Sequence, residues 1–300
     1  MTNNIPAIKN FLLDLQNRLC VALENQDASK KFYKDKWTKN KIDGLSCILE
    51  NGNILEKAGV NFSSVIGDSL PPAATTKNPD LLGASFEAMG VSSVIHPKNP
   101  FVPTAHLNVR YFQAKKTDGE IIWWFGGGFD LTPYYGFEED CIHWHKTAKN
   151  FCDKSDKNFY PRFKKAADDY FFIKHRNEHR GIGGLFFDDL NELSFEKCFA
   201  FLKNVGNGFI DAYIPIIEKR KSHAFNDAHK SFQHYRRGRY VEFNLVEDRG
   251  TLFGLQMKGR TESILMSLPP QVEWKYNFTP EKNSEEEKLT EYFLKPKDWV

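Results

Sequence analysis

Apolar residues recur at Phe11, Leu12, Leu15, Leu19 and Leu23, the spacing of one helix face, and they predict an opening helix. A polar, lysine-rich connection from Lys30 to Lys41 follows, and residues 42–70 read as short strands and turns. Pro71-Pro72-Ala-Ala and the stretch Lys77–Asp80 mark a loop. From Phe86 the pattern becomes strand-like. Val91–His96 leads into Pro97-Lys-Asn-Pro100-Phe-Val-Pro103, a connection stiffened by proline. Strands are predicted over 104–114 and 120–126, with Asp118-Gly119 between them as a hairpin signal. Gly126-Gly127-Gly128 is expected to break the second strand and to let backbone approach a ligand or another chain closely.

Residues 136–153 and 159–179 have helical spacing. Gly181–Phe187 reads as a buried strand ending at Asp188-Asp189, and helices fill 194–238. Tyr240–Val246, the turn Glu247–Gly250, Thr251–Gln256 and Ser263–Ser267 suggest a meander of short strands, and a charged helical tail runs over 281–295. Strand runs and helix runs are segregated, and no linker or internal repeat interrupts them. The expected fold is therefore one α+β domain over residues 1–300, with a large central antiparallel sheet flanked by helices on both sides.

The row His106, Asn108, Arg110, Phe112 changes this picture from a fold to a candidate site. Side chains on a strand alternate, so these four share one face while Leu107, Val109 and Tyr111 take the other. A histidine, an amide and a guanidinium in a row do not make a core face, because burying them unpartnered costs several kcal/mol. The row asks for water, a protein partner or a polar ligand.

Composition narrows the classes. A net charge of +2 is too small to imply a nucleic-acid partner. The basic runs Lys219–Lys221 and Arg236–Arg239, around His223, His229 and His234, read first as solvated helix faces and second as sites for phosphate, carboxylate or a subunit. The 26 phenylalanines point to an aromatic core before a seat for a flat ligand. Five widely spaced cysteines without a CxxC pair fit free thiols in a reducing compartment. No signal-like start and no span of about 20 apolar residues is visible, so a cytoplasmic protein without a membrane span is expected.

Each candidate residue has an ordinary alternative. His175 and His179 lie four apart on a presumed helix and suit a metal pair, whereas His143 and His145 are two apart and face different ways. Asp130 is either a cap or Asx-turn residue, or a carboxylate held beside a ligand N–H. Asp188-Asp189 favours capping. Arg110 and Arg260 are the candidates for anionic groups, since arginine pairs bidentately with carboxylates. Lys258-Gly259-Arg260, placed between two presumed strands, offers the Gly259 N–H to a ligand oxygen. No GxGxxG fingerprint or Walker loop follows a strand, which speaks against NAD, FAD or ATP.

At these residues the chain resembles the oxygen-dependent coproporphyrinogen III oxidases of haem biosynthesis. The matching blocks are Gly90-Val-Ser92-Ser-Val-Ile-His96-Pro, His106-Leu-Asn108-Val-Arg110-Tyr-Phe, Trp123-Trp-Phe-Gly-Gly-Gly-Phe-Asp130-Leu-Thr-Pro and His143-Trp-His145. They continue with Lys174-His175-Arg, Arg180-Gly-Ile-Gly-Gly-Leu-Phe-Phe-Asp-Asp189 and Gly259-Arg260-Thr-Glu-Ser-Ile-Leu-Met-Ser-Leu-Pro269. The resemblance runs from about residue 7 to 295.

The resemblance implies oxidative decarboxylation of two propionates of coproporphyrinogen III to vinyl groups, giving protoporphyrinogen IX, carbon dioxide and hydrogen peroxide. Oxygen is the co-substrate, and no flavin, haem or nicotinamide is needed. It further implies substrate contacts at Ser92, Asn108, Val109, Arg110, Lys258, Gly259 and Arg260. His106 matches the proton donor, Asp130 the residue holding pyrrole N–H groups, and His96, His106, His145 and His175 the ligands of a divalent metal. Segment 240–275 matches the contact of a homodimer. Lys258 departs from the pattern, which has a small residue there. The rival readings are a non-catalytic tetrapyrrole carrier, a histidine-dependent metallo-oxygenase acting on another substrate, and a nucleic-acid binder through 219–239.

Overall fold

The computed structural model describes residues 4–70 and 79–300. The loop expected over Pro71–Ala74 lies outside them, as do Lys77 and Asn78 of the stretch Lys77–Asp80. The chain starts with helix α1 (Ile5–Gln26), capped by Asn4, whose side chain accepts from the Ala7 N–H. Strands β1 (Tyr33–Lys39), β2 (Ile42–Glu50), β3 (Leu55–Gly67), β4 (Ser85–Pro97), β5 (Thr104–Lys115) and β6 (Ile121–Thr132) follow in sequence. Helices α2 (Glu138–Asp153) and α3 (Phe159–Tyr170) precede the small hairpin β7 (Phe172–Ile173) and β8 (Glu178–His179). Strand β9 (Gly184–Leu190) joins the sheet, and helices α4 (Phe195–Arg220) and α5 (Asp227–Glu242) come next. A wide π-helical turn (Phe243–Glu247) leads to α6 (Arg249–Gln256), α7 (Thr261–Leu265) and the tail helix α8 (Glu285–Lys288).

Among the described residues, seven strands form one antiparallel sheet in the order β1-β2-β3-β4-β5-β6-β9. Helices cover both faces, so the expected α+β architecture is present. One face is the core. Leu107, Val109, Tyr111, Phe125 and Phe129 point into it and meet α4 and α2 through ring contacts such as Phe125–Phe199 and Phe129–Trp144. Many of the phenylalanines are spent there, and others cluster around Phe86 and Phe171 outside it. The other face is polar and carries α5, the π-turn and α7: Tyr240 packs on His96, Ser263 meets Ser46, and Met266 covers Gly59.

Several expectations differ from the structure. Lys30–Lys41 is no mere connection: Tyr33–Lys39 pairs with β2 as a lysine-rich edge strand, the composition that keeps an open edge soluble. The three glycines do not end β6. They continue it to Thr132 and face strand β5 and, at Gly127 and Gly128, strand β9, where close neighbours leave no room for side chains. Helix α3 stops at Tyr170, and Asn177 in the left-handed conformation turns β7 into β8.

The meander expected over 240–267 is helical instead. Asp248 caps α6 by accepting from the Thr251 N–H, and a Schellman turn closes it: Lys258 N–H donates to Leu255 and Gly259 N–H to Gly254. Short apolar runs do not distinguish strand from helix, and the caps decide here.

Gly128 sits at φ +146, and a Cβ there would stand 1.9 Å from the Leu185 carbonyl oxygen. Backbone on β9 cannot retreat without losing the sheet. Gly128→Ala is expected to lower unfolding free energy by about 2 kcal/mol or more; a urea midpoint equal to that of the parent protein would refute the close-approach account.

Candidate active site

The alternation that separates Leu107, Val109 and Tyr111 from His106, Asn108 and Arg110 holds over β5. Register then assembles a polar floor. His106 lies opposite Asp130, Asn108 opposite Gly128, and Arg110 opposite Gly126. On the other flank Ser92 faces Asn108 and Val94 faces His106. The glycines lower the floor, and Arg110 lies across one of them: a Cβ on Gly126 would come within 2.8 Å of its Nε. Val109 is fully buried on the core side, so its side chain does not line this floor.

Beneath His106 a buried charge pair sets the chemistry. Arg180 donates from Nη2 to both oxygens of Asp130 (2.7 and 2.8 Å) and from Nε to one of them (3.1 Å). Arg180 is 3% exposed and Asp130 1%. The guanidinium is enclosed by the rings of Phe171, Tyr240 and Phe243 and donates through Nη1 to Asn244. Burial by itself would raise the Asp130 pKa, but the Arg180 charge and the His106 hydrogen bond outweigh it and hold the carboxyl below its usual range.

His106 Nδ1 lies 2.8 Å from Asp130 Oδ1. A carboxylate accepts there, so Nδ1 carries the hydrogen and the neutral ring presents a basic Nε2. The His106 side chain remains 22% exposed. Asp130 therefore reaches the open floor through His106, because its own oxygens are committed to Arg180 and His106. It sits in a strand, which removes the cap and Asx-turn reading.

Arg110 completes the row. It donates to Asn108 Oδ1 and to Asp188 Oδ1, each at 2.8 Å. Asp188 also lies 3.6 Å from Arg249, so this strand residue serves ion pairs rather than a helix cap. Arg249 stands over Tyr170, which stacks on Phe186 and donates to Asp248. Arg180, Asp248 and Arg249 are the residues that sequence reasoning missed. Asp248-Arg249-Gly250 was legible only as a turn, and Arg180 only as the residue before a glycine-rich strand.

The remaining candidates fall elsewhere. Gly259 has given its N–H to the α6 cap, and Lys258 is an exposed residue at φ +55, a conformation that suits a small residue better. Arg260 pairs with Asp35 at the far edge of the sheet, 2.5 Å away. The arginines of the basic runs are buried in ion pairs, Arg220 on Asp140 and Glu139, Arg237 on Glu56, and Arg236 and Arg239 on Glu178, while Lys219 stays on the solvated face.

The four histidines do not share one site. His96 is fully buried between Thr104 Oγ1 and the Ser267 carbonyl. His145 is buried between the Tyr160 hydroxyl and the Ile182 carbonyl, and burial pushes its pKa down to about 4. His106 serves Asp130, while His175, beside the β7–β8 turn, pairs with Glu242. His175 and His179 share no helix face, since they lie outside α3. Both nitrogens of His96 and of His145 are occupied, and the described residues contain no cluster of three His, Cys, Asp or Glu side chains fit for a metal. The arrangement does not suit a four-histidine centre, and no step below passes through one.

A family model described as coproporphyrinogen III oxidase matches residues 7–299.

The shifted groups fix the acid response. Burial raises the Glu242 carboxyl, but Arg176, His175 and Trp274 overcome this and draw it down to about 2. For a depressed carboxyl the unfolded chain binds protons first, so the stabilisation from Glu242 is present above pH 4.5 and is lost toward pH 2, and the depressed Asp130 acts in the same direction. The depressed His145 is protonated first in the unfolded chain, so stability also falls between 6.5 and about 4. Urea midpoints are expected to decline steadily below pH 6.5. In Arg180→Met, which strips Asp130 of its counter-charge, the loss at neutral pH is about 3–5 kcal/mol. Unchanged stability in that variant would refute the buried pair.

Proposed function

Since the chain belongs to the coproporphyrinogen III oxidase family, we propose that it converts two propionates of coproporphyrinogen III to vinyl groups with molecular oxygen, yielding protoporphyrinogen IX. In each arm the β-carbon gives up a hydride equivalent and the carboxylate leaves as carbon dioxide, its electron pair forming the double bond. The hydride and one proton reduce one oxygen molecule to one hydrogen peroxide. The balance closes without flavin, haem or nicotinamide, because the propionate arm supplies both electrons and the electron-rich pyrrole ring stabilises the cation that hydride loss leaves beside it.

The observation that carries this reading is the Arg180–Asp130–His106 chain lying beside Arg110 on one polar sheet face. Arg110 offers a fixed cation for the acid arm that reacts. Asp130 holds the His106 tautomer that leaves Nε2 basic toward the open floor, where it takes the pyrrole N–H proton and returns it as peroxide forms. Ser92 and Asn108 supply neutral polar contacts across the floor, and Arg260 offers a second cation. Water is kept from the oxidisable ring by the helices that cover the polar face.

A homodimer through 240–275 is part of the same reading. Leu245, Val246, Phe253 and Leu255 expose large apolar side chains on the π-turn and α6, a patch that a second copy would cover. We place the enzyme in the cytoplasm; among the described residues no helix is long and apolar enough to cross a membrane.

Metal-stripped protein given coproporphyrinogen III in air is expected to form the vinyl product, read by fluorescence after oxidation to the porphyrin, and to form none under argon. His106→Ala is expected to lower kcat by a factor of about 100–10,000, with Arg110→Ala raising KM as well. Binding without oxygen uptake would make the protein a carrier instead. Phe253→Glu is expected to shift the mass in solution from dimer to monomer by light scattering; a monomeric parent protein would remove the dimer from the proposal.

A further inference from the structure

We propose that Asp35 is an internal stand-in for a substrate acid arm, holding Arg260 until a carboxylate of the macrocycle displaces it. This role rests on the oxidase reading and extends it to the edge strand β1.

Arg260 Nη1 lies 2.5 Å from Asp35 Oδ2, and its guanidinium stands over the Trp37 ring. Trp37 lies flat against Gly44, where a Cβ would come within 2.1 Å of the indole, and donates to Ser46. Ser46 in turn meets Ser263 at α7. Lys39 and Asn40, at the β1–β2 turn, donate to the carbonyls of Gly259 and Lys258. The hairpin thus fixes the loop backbone by neutral acceptors, and the charged tip of Arg260 is held by Asp35, with Glu262 3.7 Å from its Nε. A cavity of about 280 Å³ adjoins the pair, with Lys57, Ser46 and Met266 among its walls.

Asp35 shares one cross-strand row with Ser46, Asn61, Ser92 and Asn108, so it belongs to the same polar face as the row on β5. Four strand spacings separate it from Asn108, about 19 Å. Arg110 and Arg260 are therefore two cations on one polar sheet face, each holding a carboxylate of the protein's own. The Arg260 and Asp35 side chains are 25% and 26% exposed. A pair this wet is weak and exchangeable. It keeps Arg260 ordered and aimed before a ligand arrives, and it competes with that ligand.

The test titrates coproporphyrin III, the stable oxidised tetracarboxylate, by fluorescence quenching. Asp35→Asn is expected to tighten binding about three- to fivefold, the scale of a partly exposed ion pair. Asp35→Ser is expected to do the same, which covers the case where one variant folds poorly. In an Arg260→Ala background the gain is expected to vanish, and the tetramethyl ester of the porphyrin is expected to show none. Equal or weaker binding by both Asp35 variants overturns the exchange, as does a gain that survives Arg260→Ala. Failure of the oxidase reading is read separately, from oxygen uptake by the parent protein with coproporphyrinogen III.

Discussion

The buried Arg180–Asp130 pair is the contact on which the rest of the site depends. Two opposite charges out of water are tolerated only with close geometry and full hydrogen bonding. Here the carboxylate takes both Nη2 and Nε, Asn244 takes Nη1, and three aromatic rings face the guanidinium. The pair ties β6 to the segment after β8 and to the π-turn, three parts of the chain far apart in sequence. It also leaves Asp130 ionised, which selects the His106 tautomer. A widened helical turn at Phe243–Glu247 brings both Phe243 and Asn244 to this arginine, a use that such turns often have.

The sheet does two jobs because its faces differ. The phenylalanine-rich side packs as core, and the polar side carries the candidate site. Rigidity matters, since a ring nitrogen and a guanidinium must keep their separation within fractions of an ångström. The glycines of β6 serve both ends: they let β5 and β9 approach closely, and they leave the space over which Arg110 lies. A side chain at Gly126 would push Arg110 off the floor.

The charge layout explains how a nearly neutral protein handles a substrate with several carboxylates. Arginines are not left bare. Arg110 is held by Asp188 and Arg260 by Asp35, while Arg220 and Arg237 of the basic runs are paired with internal carboxylates. In the proposed exchange one carboxylate replaces another at an arginine already in place, which costs less reorganisation than ordering a free one.

The sequence by itself determined the opening helix, the β5–β6 hairpin, the alternation that puts His106, Asn108 and Arg110 on one face, and the α+β class. Those features follow from local periodicity and turn chemistry, and the long matching blocks located Arg110, Asp130 and His106. Only the tertiary structure decided what these residues touch. Arg180 reads as one basic residue among many until the strand register sets Asp130 above it. Asp248 and Arg249 read as a turn until the cap of α6 is in place. Likewise, four histidines spaced along the chain suggest a metal centre, yet hydrogen bonds to Thr104, Ser267, Tyr160 and Ile182 claim two of them. Such pairings are non-local, and period and propensity describe only neighbours along the chain. For the same reason the apolar runs of 240–267 were open to either strand or helix until the caps of α6 and the packing of Tyr240, Phe243 and Asn244 on Arg180 fixed them.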